Sequence, residues 1–512
     1  MPSHAVEILD STLREGEQMQ NISYAPSEKY TLAQTLLSEV NTDRIEIASA
    51  LGSDVETESV RRIADWAMTM GCIERLEVLG FTDGHKSVDW IAQTGVRTVN
   101  LLVKGSAKHL QIQLGKTPEE HFRNIEDTVN YAQDNDMTVN VYLEHFSNGI
   151  TDSPDYVHDI ITFLKDLGVR RIMLSDTMGI LQPFDTYNIM SKLVDEFPFV
   201  HFDFHSHNDY GMATANALAA ARAGISGIHT TVNGLGERAG NCPLDEVVVS
   251  LRDFLNIDTQ INEHNLHKVS RLVESFSGQR VSAHKPIYGS NVFVQTAGIH
   301  ADGDRKGNLY HNKLTPQRFG RTQEYALGKL SGRASLDLNL EMLGISLSES
   351  QKEILLKKII QLGERKENVT ADDLPYLVSD IFDDKKHAAF RLVNCAITTT
   401  YRMKPYAAIK CSYNGKECDG YSYGDGGYDA FMNALQVVLK EFGIVMPHLA
   451  DYTVTIPPGG RTDALVQTNI VWEYSDSDDE PPHRISTRSV NSDQILAAID
   501  ATIKMINIRV KE

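Results

Sequence analysis

Short apolar runs alternate with amphipathic stretches along the first half of the chain. Apolar residues recur with helical periodicity at 27–40, 118–135, 154–167 and 184–196. Runs of strand length lie between most of these stretches, at 5–9, 44–48, 75–79, 97–103, 138–143, 170–175, 200–205 and 227–232. Eight strands alternating with helices over roughly 250 residues predict a closed (β/α)8 TIM barrel. An open doubly wound sheet is the alternative, but no dinucleotide-binding fingerprint follows the first run.

The pattern changes after about residue 255. Helices are predicted at 262–277 and 348–362, and the stretch between them, rich in Gly, Arg, His and Asn, predicts an irregular linker. Near residue 390 a strand-rich pattern begins, and Asn414-Gly415 marks a hairpin turn. The later elements are strands at 396–412, 417–423, 451–456 and 463–473, with helices at 428–442 and 492–506. We expect two copies of a ββα unit in an α+β domain, and domains at 1–280, 281–388 and 389–512.

Charge and cysteine content narrow the function classes. With 49 Lys and Arg against 69 Asp and Glu, the net charge of -20 disfavours binding to nucleic acid or an anionic membrane. No apolar run of about 18 residues predicts a membrane span, and the first residues do not resemble a secretory signal. The five cysteines are scattered and lack CxxC spacing, which argues against a disulfide scaffold or a zinc ribbon. A cytoplasmic protein fits these features best.

Polar residues follow the predicted strands, and the active sites of TIM barrels lie at the carboxyl ends of the strands. The sharpest signal is His205-Ser206-His207 at the end of the seventh strand. Spacing of two places both imidazoles on one face of a strand. Two imidazoles with a carboxylate from the first strand suit a catalytic divalent ion that keeps positions open for substrate and water. The chance occurrence of two neighbouring histidines is the alternative explanation.

Two further segments carry candidate chemistry. Asp10, Arg14 and Glu15 follow the first strand. A helix cap and surface charges explain most such residues, but a position just beyond a barrel strand favours a substrate-facing role. The stretch 233–241, NGLGERAGN, has GxGxxxG rather than GxGxxG spacing, so a dinucleotide site is not predicted. Its glycines still permit close approach of the backbone to a ligand.

Several long motifs, in this order, resemble the α-isopropylmalate synthase, homocitrate synthase and citramalate synthase family. In the barrel they are DSTLREGEQ (10–18), HSHND (205–209) and NGLGERAGN (233–241). TAGIHADGDRKGNLY (296–310) and GKLSGRASL (328–336) resemble the linker of that family. GDGGYDAFMNAL (424–435) and IPPGGRTDALV (456–466) resemble its carboxy-terminal regulatory domain. The resemblance covers nearly the whole chain and implies an acyltransferase that condenses acetyl-CoA with a 2-oxo acid and then hydrolyses the thioester.

The resemblance also implies roles for individual residues. A divalent ion (Mn, Mg or Zn) would be held by Glu15, His205, His207 and Asn241. Isopropylmalate and citramalate members usually have Asp at the position of Glu15, so Asp10 competes for that role. Arg14 would contact the developing alkoxide, and Thr177 would bind the oxo acid carboxylate. Glu144 and His300 are both candidates for the base that deprotonates the acetyl group. In a homodimer, the linker residues His300, Asp302 and Tyr310 would reach the active site of the partner subunit.

Three large side chains near the third, fourth and fifth strands are expected to line the acceptor pocket: Leu79, Leu102 and Tyr142. They leave room for a methyl group and little for an isopropyl group, and citramalate members resemble this set closely. The sequence therefore favours pyruvate, with 2-oxoisovalerate as the alternative. Ordinary core packing is the less favoured alternative for all three. A 2-oxoglutarate acceptor would need a basic group on these strands, and none is evident.

Other function classes fit less well. A lyase acting on a 3-hydroxyacyl-CoA would not need the linker and final domain, and a non-catalytic amino-acid sensor would not need an intact metal set. The final domain is expected to bind the pathway end product, isoleucine for a pyruvate acceptor or leucine for 2-oxoisovalerate. The candidate effector residues are Tyr428, Asp429, Leu449, Tyr452 and Val466, for which plain packing is the alternative.

Overall fold

The computed structural model of the chain describes residues 6–295, 303, 307, 309, 312–321, 324–325, 327–328, 331–343, 345–364, 369, 374, 377–378, 389–455, 466–474, 483–491 and 493–510. The chain divides into two compact units. The first unit comprises Met1–Phe293 and His311–Gln323, and the second comprises Val294–Tyr310 and Glu324–Glu512. No helix among the described residues is long and apolar enough to cross a membrane.

The first unit contains a closed barrel of eight parallel strands, which confirms the predicted (β/α)8 fold. Strand β1 pairs with both β2 and β8, so the sheet has no free edge. The strands are β1 Glu7–Asp10, β2 Arg44–Ser49, β3 Leu76–Phe81, β4 Thr98–Lys104, β5 Thr138–Glu144, β6 Arg171–Asp176, β7 Phe202–Ser206 and β8 Gly227–Thr230.

Helices lie between the strands and after the last one. They are α1 Pro26–Gln34, α2 Asp54–Thr69, α3 Lys86–Thr94, α4 Ala107–His109, α5 Pro118–Asp134, α6 Phe146–Asp152, α7 Pro154–Asp166, α8 Pro183–Glu196, α9 Ala213–Arg222, α10 Leu244–Leu255 and α11 Leu266–Ser277. The predicted helix at 27–40 is divided: α1 ends at Gln34, and Thr35–Val40 forms wider π-type turns. Asn41 follows with a φ of 62°, a left-handed conformation that ends the helix.

Side chains alternate between the two faces of each barrel strand. The outward face is aliphatic and packs against the helices, as Ile45, Ile47, Val99 and Leu101 do. Buried polar side chains occupy the alternate positions, among them Arg44, Glu46, Asn100, Asn140, Asp203 and His229. Hydrogen bonds and ion pairs join these polar groups inside the barrel. The centre of the barrel is therefore largely an ionic network.

The second unit contains two leucine-rich helices, α12 Arg333–Met342 and α13 Glu349–Glu364, and a short parallel pair, β9 Val294–Gln295 and β10 Glu324–Tyr325. Two three-stranded antiparallel sheets follow, each succeeded by a helix. The first comprises β11 Phe390–Thr398, β12 Tyr406–Tyr413 and β13 Lys416–Tyr423, followed by α14 Gly427–Phe442. The second comprises β14 His448–Thr455, β15 Val466–Tyr474 and β16 His483–Asn491, followed by α15 Gln494–Arg509.

The repeated unit is thus βββα, and the prediction of ββα was wrong. The apolar run predicted as one strand at 396–412 is broken by a turn in which Arg402 has a φ of 66°. The strand β16 escaped prediction because its sequence, HRISTRSVN, is polar at most positions. The hairpin at Asn414-Gly415 is confirmed: both residues have positive φ, and Tyr413 pairs with Lys416.

Candidate active site

Glu15, His205 and His207 form a buried cluster at the carboxyl ends of β1 and β7. Their nearest carboxylate and imidazole atoms all lie within 4.8 Å of one another. The Nε2 atoms of the two histidines are 3.4 Å apart, as the spacing of two along a strand predicts. Asp10 is not part of this cluster among the described residues, and its Oδ1 accepts a hydrogen bond from the backbone of Thr12 at 3.0 Å.

Burial keeps both imidazoles in the cluster neutral. Burial lowers the pKa of His205 well below its ordinary value, and the neighbouring His207, His229 and Arg14 lower it further. Burial also lowers the pKa of His207, and the opposing effect of Glu15 is smaller. A neutral imidazole has a free nitrogen lone pair, which is the form that binds a metal ion.

Asn241 joins this cluster through the glycine-rich loop after β8. Its backbone pairs with that of His207, and its Nδ2 donates to the carbonyl of Leu235 at 3.1 Å. Gly236 has a φ of 153°, and a Cβ there would lie 2.1 Å from Asn241 Nδ2. Glycine is therefore required at 236 to leave space for the Asn241 side chain.

The donor set fits a divalent cation. Oε2 of Glu15 and Oδ1 of Asn241 are buried and have no hydrogen-bond partner among the described residues. Unpaired buried acceptors are costly unless something else satisfies them. A carboxylate, two imidazoles and an amide oxygen are ligands that suit a catalytic divalent ion.

Arg14 lies beside this cluster, held between two carboxylates. It forms an ion pair with Glu15, and its Nε donates to Glu46 Oε2 at 2.7 Å. Glu46 is fully buried and also accepts from Ser11 Oγ at 2.9 Å and Asn100 Nδ2 at 2.7 Å. The guanidinium is therefore fixed next to the candidate metal ligands. Glu46 has no role assigned from the sequence, although it lies two residues after Arg44 and therefore on the same, inward-facing side of β2.

The three predicted pocket residues lie together. Leu79, Tyr142 and Met173 form an apolar cluster separate from the outer core, and Leu102 packs against it. The Tyr142 ring meets the His205 ring edge to face, with 5.8 Å between centroids. The apolar cluster is therefore in contact with the candidate metal site.

A chain of hydrogen bonds extends from Tyr142 to the opposite end of the barrel. Its hydroxyl lies 3.0 Å from His229 Nδ1 and 3.3 Å from Glu46 Oε2. His229 Nε2 lies 3.0 Å from Asp203 Oδ2, which also accepts from Arg44 at 2.6 Å. Neither His229 nor Asp203 was singled out from the sequence for a role. The sequence offers one indication of such a role, which is that each residue occupies an inward-facing position in an apolar strand.

Glu144 and Thr177 lie at the ends of the adjacent strands β5 and β6. Glu144 forms an ion pair with Lys104. Thr177 Oγ1 accepts from the backbone of His145 at 2.8 Å, and its carbonyl accepts from Arg238 at 2.7 Å. Thr177 retains its hydroxyl proton as a possible donor to a ligand. His300, Asp302 and Tyr310 lie outside the described residues.

The candidate effector residues lie in the second unit. The rings of Tyr428 and Tyr452 stack with 5.4 Å between centroids, and the Tyr428 hydroxyl lies 2.7 Å from Thr502 Oγ1. Asp429, in the first turn of α14, accepts a hydrogen bond from the backbone of Asp425 at 2.8 Å. Leu449 packs against the core and Val466 is buried.

A (β/α)8 barrel with such a cluster at its carboxyl end defines the class of HMGL-like enzymes, whose family profile matches residues 5–273. Members of that class typically depend on a divalent metal. The homocitrate synthase post-HMGL domain-like profile matches residues 287–367, and the LeuA allosteric (dimerisation) domain matches residues 368–510.

Curated relatives refine this class. A putative (R)-citramalate synthase of Methanopyrus kandleri is 31% identical, with 99% of this chain and 97% of the relative covered. A probable 2-isopropylmalate synthase of the same organism is 32% identical, with 98% of each chain covered. The (R)-citramalate synthase of Methanocaldococcus jannaschii is 29% identical, with 98% of this chain and 99% of the relative covered. The chain belongs to the citramalate synthase and isopropylmalate synthase family of acyltransferases, which condense acetyl-CoA with a 2-oxo acid.

Proposed function

We propose that the chain condenses acetyl-CoA with pyruvate and releases (R)-citramalate and CoA, as the first step of a pyruvate route to isoleucine. The observation that carries this proposal is the apolar cluster of Leu79, Tyr142 and Met173 against the ring of His205. Large side chains that close the space beside the metal ligands favour an acceptor with a methyl group over one with an isopropyl group.

Glu15, His205, His207 and Asn241 would hold a divalent metal ion, whose chemistry, when bound, is Lewis-acid polarisation of the acceptor ketone. Thr177 orients the acceptor through a hydrogen bond from its hydroxyl to the carboxylate. Arg14, fixed by Glu46, places a positive charge where the ketone oxygen gains negative charge. Because Arg14 already holds this position in the folded protein, the site does not have to rearrange when the ketone oxygen becomes charged.

Glu144 or His300 takes a proton from the acetyl methyl group, and the resulting carbanion bonds to the ketone carbon. The new alkoxide then accepts a proton, and water hydrolyses the thioester to release CoA. Asp302 and Tyr310 act with His300 on the linker, which reaches the active site of the partner subunit in a homodimer.

The second candidate function is 2-isopropylmalate synthesis from 2-oxoisovalerate. The specific observation in its favour is that the probable 2-isopropylmalate synthase of M. kandleri is 32% identical to this chain, as similar as the citramalate synthase relatives. One methylene group in an apolar pocket changes the free energy that separates two competing substrates by only about 1–3 kcal/mol. A few substitutions are therefore enough to separate the two activities.

The regulatory part of the proposal concerns residues 389–512, which we infer to bind isoleucine through Tyr428, Asp429, Leu449, Tyr452 and Val466. Leucine is the corresponding effector for the alternative acceptor. We further propose that the enzyme acts in the cytoplasm, with a catalytic domain at 1–280 and a linker at 281–388.

The test is release of CoA thiol from acetyl-CoA by purified, metal-supplied protein with four acceptors compared side by side: pyruvate, 2-oxobutyrate, 2-oxoisovalerate and 2-oxoglutarate. We expect the highest kcat/KM with pyruvate. A preference for 2-oxoisovalerate would retain the family chemistry and overturn the argument from the pocket.

A further inference from the structure

Asp203, His229 and Tyr142 form a chain of hydrogen bonds inside the barrel. Asp203 Oδ2 lies 3.0 Å from His229 Nε2, and His229 Nδ1 lies 3.0 Å from the Tyr142 hydroxyl. All three side chains are at most 2% exposed. Each nitrogen of the imidazole has one partner, so the ring cannot turn over without losing both contacts.

The Asp203 end of this chain is fixed by charge. Arg44 Nη2 lies 2.6 Å from Asp203 Oδ2, and both side chains are buried, so the carboxylate is held in an ion pair. An ionised carboxylate accepts and does not donate. The proton of the shared contact therefore lies on Nε2 of His229, and Nδ1 faces Tyr142.

The Tyr142 end of the chain borders the acceptor pocket. The nearer partner of its hydroxyl is His229 Nδ1 at 3.0 Å, since Glu46 Oε2 lies 3.3 Å away. The neighbours of its ring include the apolar side chains of Leu79 and Met173, which offer no hydrogen bond, and the ring of His205. The contacts of the hydroxyl therefore anchor one end of the ring, and a changed orientation alters the space beside His205.

We infer that His229 is a positioning residue that sets the size of the acceptor pocket by holding the Tyr142 ring in place. It thereby determines how strongly the enzyme discriminates between small and branched 2-oxo acids. This inference rests on the proposed function, in which Tyr142 lines the pocket, and it assigns no contact between His229 and the acceptor.

Two amide substitutions at residue 229 each retain the hydrogen-bonding group of only one imidazole nitrogen. The amide of His229→Asn occupies the place of Nδ1 and can still bond Tyr142, whereas the amide of His229→Gln occupies the place of Nε2 and can bond only Asp203. The measurement is kcat/KM for pyruvate divided by kcat/KM for 2-oxoisovalerate. We expect the Gln variant to lower this ratio about tenfold, the lower end of discrimination by an apolar pocket. The Asn variant should leave the ratio unchanged.

The same measurement in a Tyr142→Phe background shows whether His229 acts through the hydroxyl. We expect His229→Gln to have no further effect on the ratio in that background. A matched control is His267→Gln on α11, a half-buried histidine outside the barrel interior, which should leave the ratio unchanged.

The outcomes distinguish this inference from the proposed function. If Tyr142→Phe leaves the ratio unchanged, the hydroxyl does not hold the ring and the positioning role is wrong, whereas an unchanged ratio in Tyr142→Ala would show that the assignment of Tyr142 to the pocket is wrong. If Tyr142→Phe changes the ratio but His229→Gln does not, or if the Gln effect persists in the Phe background, the positioning role is wrong. Because the His229 ring lies 5.5 Å from that of His205, metal content is measured for each variant. Loss of metal by the Gln variant would contradict an action through Tyr142.

Discussion

The ring of Tyr142 meets the ring of His205 edge to face, with 5.8 Å between centroids and an angle of 84° between planes. One wall of the apolar cluster is thus in direct contact with a candidate metal ligand. In the proposed function, an acceptor would fit beside the remaining members of that cluster, Leu79 and Met173, and beside Leu102, which packs against it.

Leu102→Ala should widen the acceptor pocket. Leu102 is half-buried and packs against the Tyr142 cluster, so its truncation opens space for a larger acceptor. We expect kcat/KM for 2-oxoisovalerate to rise about tenfold relative to pyruvate. The matched control is Leu101→Ala, whose side chain belongs to the outer core. That change should cost about 2–5 kcal/mol of stability and leave the acceptor ratio unchanged. An equal ratio in both variants would place Leu102 outside the pocket.

His207→Ala should abolish stoichiometric metal binding and lower kcat more than about 100-fold, because a cluster of buried ligands loses one member. Treatment of the native enzyme with a chelator should have the same effect, reversed by added Mn or Mg. The metal content of dialysed protein and the rate of CoA release are the two readouts. The surface histidine change His85→Ala, which removes a ring stacked on Tyr131, serves as the control. Full activity of His207→Ala would contradict the metal site.

Gly236→Ala should weaken metal binding although residue 236 contributes no ligand. The added methyl would collide with Asn241 Nδ2, and Asn241 would have to turn away from His207. We expect metal affinity to fall about 10–100-fold, the usual range when support of a ligand is lost. A titration of the variant with Mn measures the change. Gly211→Ala is a control for strain alone, since its φ is also positive but a Cβ there meets nothing within 4 Å.

Arg14→Lys should lower kcat by about 100- to 1000-fold, the range found when one donor to a developing oxyanion is removed. Lysine retains the charge but cannot bridge Glu46 and Glu15 in the fixed geometry of a guanidinium. We expect little change in KM for the acceptor, since the contact strengthens as the alkoxide forms. Steady-state kinetics with pyruvate provide the measurement. A rise in KM at constant kcat would assign Arg14 to ground-state binding.

The ion pair of Asp203 with Arg44 predicts how stability depends on pH. The folded pKa of Asp203 is depressed, so its contribution is present above the ordinary carboxyl pKa of about 3.9 and is lost as the pH falls below it. Asp203→Asn should therefore lower the thermal midpoint at pH 7, and the difference from the native protein should shrink on acidification. Thermal unfolding between neutral and acidic pH measures this. The exposed Asp127→Asn should change the midpoint little at any pH.

The sequence predicted the elements that periodicity determines and missed those that depend on pairing in space. All eight barrel strands are apolar enough to identify, and the HSH spacing placed His205 and His207 on one face. By contrast, β16 is polar along its length and becomes a strand only through its pairing with β15. The roles of Glu46 and His229 depend on Arg14, which follows β1, and on Asp203 in β7, more than 20 residues away in the chain. When a charged residue lies within an apolar run, the sequence does not show which distant residue it pairs with.

The ionic centre of the barrel has a consequence for how such enzymes diverge. Removal of one partner from a buried ion pair costs about 3–5 kcal/mol, whereas joint replacement of both partners by apolar groups is often neutral. We therefore expect joint replacement of Arg44, Asp203 and Glu77 to be tolerated better than single substitutions. Leu79 and Leu102 are apolar, so either can be replaced alone without leaving a buried charge unpaired. Single substitutions at these two positions can therefore change the preference for an acceptor while the buried ion pairs of the barrel stay intact.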